Sequence, residues 1–323
     1  MELYPLKFQP LYKYRLWGGD KLKTVLKKDY NEQNIGESWE VSDVDGDETR
    51  VMNGPLKGYR LKELIGEFKG EFIGHSVYKM FNGQFPLLIK FIDSKAPLSI
   101  QVHPDNEFAK KQHNSFGKNE MWFIMENDLD AEIIMGFEKE LSIVEYQAAL
   151  KTTSVLEFVH YEKTHKGDAF YIPAGRIHAI GAGVLLAEIQ QTSDITYRIY
   201  DYDRIDKLTG EKRELHNDLA ENVLDFNVCE NYKTDYPTKK NKSNKLIHSP
   251  YFKTNYLLIE GEITKDYSKL DSFVIYMCVD NDIILTVNNI RYTLKYGETI
   301  LLPASTSIVK LTSSNGGILE VFM

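Results

Sequence analysis

The stretch Lys166-Gly167-Asp168-Ala169-Phe170-Tyr171-Ile172-Pro173-Ala174 recurs later in the chain as Tyr296-Gly297-Glu298-Thr299-Ile300-Leu301-Leu302-Pro303-Ala304. Each copy has a glycine and an acidic residue, then a short apolar run, then Pro-Ala. The glycine suits a turn that needs positive φ. The run suits a buried strand, and proline ends it because it has no N–H to donate. A Gly-acidic turn feeding such a strand is a recurring element of jelly-roll barrels, so the repeat predicts a mainly β chain with two such barrels. The first copy continues to His178, five residues past Pro173, whereas the second has Ile308 at that position. A metal site is therefore expected in the first module only.

The rest of the chain agrees with this reading. Short apolar or alternating runs, punctuated by Gly, Pro, Asn and Asp, predict strands at 85–91, 98–103, 121–125, 169–172, 185–190 and 196–200. A few peripheral helices are expected. Ser142-x-x-Glu145 is a capping box followed by Ile143, Tyr146 and Leu150 at helical spacing. Leu215, Leu219, Val223 and Phe226 form a second helical stripe. Residues 231–249, rich in Lys, Asn, Thr and Ser, read as a linker. The predicted organisation is a catalytic domain over 1–235 with helical additions, then a C-terminal β domain over 236–323 without a metal site. Within the latter, Asn288-Asn289 predicts a turn.

Bulk properties narrow the function classes. With 323 residues, 42% hydrophobic and 27% charged, the chain can bury a sizeable core. The formal charge of -8 argues against nonspecific nucleic-acid binding. No apolar run approaches the roughly 20 residues that span a bilayer, and the start lacks the layout of a secretory signal. The expectation is a cytoplasmic protein with no nucleic-acid or membrane partner. Cys229 and Cys278 have no ligand-spaced neighbours and are expected to be buried free thiols.

Four segments carry candidate chemistry. In Leu98-Ser99-Ile100-Gln101-Val102-His103, strand alternation sets Leu98, Ile100 and Val102 on one face and Ser99, Gln101 and His103 on the other. Three polar residues on a buried face would need partners; the alternative is a solvent-facing strand. Lys118-Asn119-Glu120 places Lys118 and Glu120 on one face, a pattern that also suits a solvated pair. Pro173-Ala174-Gly175 delivers His178 just inside the next strand. Glu188 and Gln190 share a face, and Arg198 follows among tyrosines. Two imidazoles, one carboxylate and one amide oxygen make a four-ligand set: Gln101, His103, Glu120 and His178. Imidazole suits zinc, iron and manganese alike, and four protein ligands leave catalysis to an expanded coordination shell.

These stretches, with Tyr14-Arg15-Leu16-Trp17-Gly18-Gly19, Gly36-Glu37-Ser38-Trp39-Glu40-Val41-Ser42, Pro86-Leu87-Leu88-Ile89-Lys90 and Ser99-Ile100-Gln101-Val102-His103-Pro104-Asp105, resemble the shorter bacterial branch of type I mannose-6-phosphate isomerases, from the N-terminus to about Arg204. The resemblance implies a cupin-type fold, one zinc per chain, a sugar-phosphate substrate, and interconversion of mannose 6-phosphate with fructose 6-phosphate. It maps the metal ligands onto Gln101, His103, Glu120 and His178, the catalytic arginine onto Arg198, and the phosphate-side residues onto Lys90 and Ser99. Arg198 also faces the phosphate in this reading. Lys118, Glu188 and a metal-bound hydroxide are the candidates for the proton-shuttling base. Two departures stand out. The large helical insertion of longer members is absent between Glu120 and His178, and Ile199-Tyr200-Asp201-Tyr202-Asp203-Arg204 replaces their Gly-Leu-Thr-Pro-Lys. A monomer or weak homo-oligomer is expected. The rival readings are an iron cupin oxygenase and a noncatalytic sugar-binding cupin.

Overall fold

The computed structural model describes residues 2–152 and 154–323 and is mainly β. A six-stranded sheet carries Leu11–Gly19, Ile35–Val41, Leu87–Ser94, Glu120–Asn127, Ala169–Ile172 and Val184–Gln191. A five-stranded sheet carries Ile100–Val102, Glu132–Phe137, Val159–Lys163, His178–Ile180 and Tyr197–Tyr200. Trp122, Ile124 and Leu186 of the first sheet share one apolar cluster with Ile133, Met135 and Ile180 of the second, so the two sheets face each other across a common interior. The other side of the five-stranded sheet is covered by the helix Ile143–Lys151, through Tyr146 against Phe137. The predicted capping box closes that helix: Ser142 Oγ accepts from Glu145 N, and the Glu145 carboxylate accepts from Ser142 N.

The central strands of the six-stranded sheet, Leu87–Ser94 and Val184–Gln191, are buried along their whole length. Along Leu87–Ser94, Leu87, Ile89 and Phe91 face outward into a second core, while Lys90 and Ile92 face the interior. Met121, Phe123 and Met125 face outward from the next strand, and Trp122 and Ile124 inward. The outward core is shared with Ile275, Met277, Leu301, Leu319 and Val321 of a seven-stranded C-terminal sheet. That sheet alternates in the same way: Val274, Tyr276, Cys278, Ile300 and Leu302 turn into a third cluster.

The sequence repeat is a structural repeat. Gly167 and Gly297 both have positive φ, at 91° and 78°, and each feeds a four-residue strand, Ala169–Ile172 or Thr299–Leu302. Asp168 accepts from His165 N at 2.8 Å, and Glu298 accepts from Lys295 N at 2.8 Å. Gly167 N bonds Ile124 O at 2.8 Å where Gly297 N bonds Cys278 O at 2.9 Å. The predicted turn also forms, with Asn288 and Asn289 at φ 49° and 63° closing the hairpin of Ile283–Val287 and Ile290–Leu294.

Some expectations need correction. In the His103 segment the strand covers only Ile100–Val102, and Leu98 precedes it and joins the interior cluster, apart from Ile100 and Val102. In the first helical stripe Ile143 is exposed, and Tyr146 alone of the three is fully buried. The second stripe makes only a four-residue helix, Asn217–Ala220, with Leu215 exposed. Phe226 instead stacks on Phe137 across a turn. The linker reading fails beyond residue 242, because Ser243–His248 pairs with Lys253–Asp266. Both cysteines are free, but only Cys278 is buried; Cys229 is half-buried, with Arg176 Nη2 at 3.1 Å. No helix among the described residues is long and apolar enough to cross a membrane.

Candidate metal centre

The two imidazoles meet through the Pro-Ala-Gly turn. Gly175 N donates to His103 O at 2.9 Å, which ties the turn to the end of the Ile100–Val102 strand. Gly175 has φ 89°, and a Cβ there would sit 2.8 Å from Val223 O, so both backbone and space require glycine. The turn then delivers His178 opposite Gln101, and Arg198 pairs with Gln101 from the other side. Arg198, Gln101 and His178 thus form one row across three neighbouring strands. Glu120 enters from the opposing sheet, opposite Gln190.

Three side chains converge: the ligand atoms of His103, Glu120 and His178 all lie within 4.8 Å of one another, and all three residues are buried. His103 Nε2 is 3.4 Å from Glu120 Oε1, and His178 Nε2 is 3.6 Å from Glu120 Oε2. Each imidazole presents its Nδ1 to a backbone carbonyl, His103 to Ile195 O at 2.9 Å and His178 to Arg176 O at 2.8 Å. A ring that donates from Nδ1 keeps its Nε2 lone pair for the centre, the usual outer-shell arrangement of a metal-binding histidine. His103 Nε2 and Glu120 Oε2 are buried without a hydrogen-bond partner among the described residues, and Glu120 Oε1 has the Lys118 ammonium at 3.1 Å. Buried acceptors left unpaired cost roughly 1–3 kcal/mol each. A divalent cation would satisfy all of them, so the donor set fits one. Gln101 turns its Nε2 toward His178 Nε2, at 3.3 Å. Offering its oxygen to a cation requires the amide to rotate by half a turn.

The electrostatics favour a ready ligand set. Burial, aided by the Lys118 charge, pushes His103 down to about 3. Burial also lowers His178. Burial works against ionisation of Glu120, but the adjacent Lys118 charge opposes it, and the carboxyl is held well below its usual range. Lys118 Nζ lies 3.1 Å from Glu120 Oε1. In the metal-free protein these imidazoles stay neutral while an unfolded chain would take up protons near pH 6.5. Between about pH 6.5 and about 3 the unfolded state therefore binds more protons, and stability falls as pH falls. Chelated protein should show a lower urea midpoint at pH 5 than at pH 7.5. The drop should shrink in His103→Gln; an equal drop in both proteins would reject this origin.

A cavity of about 390 Å³ opens in front of the centre, lined by Lys90, Ser99, Gln101, Lys118, Glu188 and Arg198 among others. Those six candidate residues share the cavity, and His103, Glu120 and His178 adjoin it through the Gln101–His178 and Lys118–Glu120 contacts. Glu188 accepts from Trp122 Nε1 at 2.8 Å and is 2.9 Å from Lys90 Nζ. Burial, then the nearby Glu120 charge, raises its pKa. Lys90 is 5% exposed and donates to Gln190 Oε1 at 2.6 Å. Its ammonium is thus engaged by Glu188 and Gln190.

Sequence reasoning assigned no role to several residues that build the site. Arg15 forks onto Glu37 at 2.9 and 3.0 Å, and both line the cavity. They sat in quoted motifs, where a charge pair between distant strands leaves no local pattern. Asn119 is buried between Lys118 and Glu120. It donates to Gln191 Oε1 at 2.7 Å and accepts from Ala174 N at 3.0 Å, which fastens the Lys-Asn-Glu segment to the Pro-Ala-Gly turn. Arg213, gripped from behind by Asp201, fills the wall that the departure after Arg198 left undefined.

The chain matches the family model for the catalytic domain of type I phosphomannose isomerase over residues 5–135, and that for the cupin domain of mannose-6-phosphate isomerase over residues 242–322. It is 33% identical to a probable mannose-6-phosphate isomerase of Bacillus subtilis strain 168, covering 93% of this chain and 94% of that protein. It is 32% identical to a mannose-6-phosphate isomerase of Streptococcus mutans over 93% and 92% of the two chains. A crystal structure of the mannose 6-phosphate isomerase from Bacillus subtilis superposes with a TM-score of 0.88 at 31% identity over 99% of both chains. Whole-length likeness at this level, together with the buried His–Glu–His constellation beside the cavity, places the chain in the type I phosphomannose isomerase family.

Proposed function

We propose that this protein interconverts mannose 6-phosphate and fructose 6-phosphate using one zinc ion held by His103, Glu120 and His178, with Gln101 as fourth ligand. The observation that carries this reading is the set of buried, converging ligand atoms of His103, Glu120 and His178 next to a charged cavity, in a chain of this family. Zinc, when bound, would polarise the substrate carbonyl and stabilise enediolate charge. The catalytic domain is assigned to 1–235 and a metal-free β domain to 236–323, each built on a jelly-roll barrel. The setting is a cytoplasmic enzyme acting as a monomer or weak homo-oligomer.

The chain's own residues have separate tasks. Isomerisation moves a proton between C2 and C1 and shifts the hydroxyl protons accordingly. Glu188 is the stronger candidate for the base: burial and the nearby Glu120 charge raise its pKa, which makes it a better proton acceptor than an ordinary carboxylate. Lys90 and Trp122 hold it in place. Lys118, beside Glu120, is placed to donate to a sugar oxygen. Ser99 lines the same wall. Arg15, Lys90, Lys118 and Arg213 each sit on a carboxylate, whereas Arg198, among the described residues, does not. Arg198 Nη1 donates to Glu214 O at 2.7 Å, and its Nε is buried without a partner. That unneutralised guanidinium is the natural contact for the substrate's anionic end.

The test is a coupled assay with mannose 6-phosphate, run before and after exhaustive chelation and paired with elemental analysis. Turnover should disappear on chelation, and near-stoichiometric zinc should restore it. Full turnover in metal-free protein would refute the metal role. Iron at full occupancy with no isomerisation would favour an oxygenase.

A further inference from the structure

Resting on the sugar-phosphate reading, we propose that Arg213 is a second phosphate-binding guanidinium, held in position by Asp201 and acting beside Arg198. Arg213 lies in Glu211-Lys212-Arg213, a run with no motif of its own. The fold brings it into the cavity wall with Arg198. Its Nε donates to Asp201 Oδ2 at 2.8 Å and its Nη2 to Oδ1 at 2.5 Å, a two-point grip that fixes the guanidinium plane. Its Nη1 has no protein partner among the described residues. Arg198 keeps its Nε unpartnered.

Charge count agrees. Asp201 is 4% exposed and also takes Arg204, whose Nη1 is tied to Pro97 O at 2.5 Å. Arg204 and Arg213 therefore share a single buried carboxylate while Arg198 pairs with none, which leaves two of the three positive charges uncompensated. Burial, then the neighbouring Arg213, lowers Arg198 to about 10, so the two guanidiniums feel each other. Two like charges held together facing a cavity gain most from a dianion that takes both. Asp194 is exposed at the rim, and Asp206 accepts from Tyr14 Oη at 3.1 Å; neither is ion-paired with these arginines. Lys90 is a poorer phosphate ligand, because Glu188 and Gln190 already hold its ammonium.

The experiment compares wild type, Arg213→Gln and Arg213→Lys as zinc-loaded full-length protein. KM for mannose 6-phosphate and competitive inhibition by inorganic phosphate are measured for each. Removing one charge-assisted hydrogen bond to the phosphate predicts a KM and a phosphate inhibition constant that both rise roughly tenfold to hundredfold in Arg213→Gln, with kcat much less affected. Arg213→Lys should recover part of both, since it keeps the charge but not the fork. Unchanged phosphate inhibition in either variant would overturn the proposal. So would a fall in kcat with KM unchanged, the mark of a merely structural role. If Arg213→Gln does not fold, Arg213→Lys alone decides, through the same two constants. Wild type that fails to isomerise mannose 6-phosphate would instead sink the underlying function.

Discussion

Replacing His103 with alanine is expected to remove metal and turnover together. His103 Nε2 faces Glu120 at 3.4 Å, and the Nδ1 contact with Ile195 O fixes which nitrogen points there. The remaining donors would be too few for a tight tetrahedral site. Losing Lewis-acid stabilisation of an enediolate is worth several kcal/mol, so turnover should fall on the order of a thousandfold or more. Zinc content by elemental analysis and the coupled assay are the two readouts. A variant with full metal and full activity would end the ligand assignment.

Arg198→Ala should behave differently, with zinc retained and catalysis lost. The Arg198 backbone pairs with Gln101, but its side chain reaches Glu214 O rather than the centre. Deleting it leaves His103, Glu120 and His178 in place. A guanidinium that meets a phosphate dianion in a partly desolvated wall is worth about 3–4 kcal/mol, so kcat/KM should drop roughly a hundredfold to a thousandfold. Metal loss in this variant would show that Arg198 supports the strand row rather than the substrate.

Much of this site could be read from the chain because its parts are local. The Pro-Ala-Gly turn, the His five residues after Pro173 and the alternation through Gln101 and His103 are short-range patterns with a direct geometric meaning. The repeat at Gly297 predicted a second β unit, and the same hydrogen bonds recur there. Residues that act through distant partners were not legible. Arg15 with Glu37, Asn119 with Ala174, and Arg213 with Asp201 depend on which strands the fold brings together. The 215–226 stripe has helical spacing, yet packing of Phe226 on Phe137 ended the helix early. Tertiary contact overrode periodicity there, as it can when a stretch is short.

The burial of the central strands Leu87–Ser94 and Val184–Gln191 has a further consequence. Lys90 and Glu188 look into the reaction chamber, but their strand neighbours Ile89, Phe91, Ala187 and Ile189 rest against Ile275, Met277 and Leu319. The half of the molecule that holds no ligand atoms is thus the foundation on which the chamber's back panel is bolted. Pruned of it, the panel would turn a greasy flank to water and buckle, and the angles among imidazoles and carboxylates would drift with it. The C-terminal sheet thus shares its apolar core with the outer face of the sheet that carries Lys90 and Glu188.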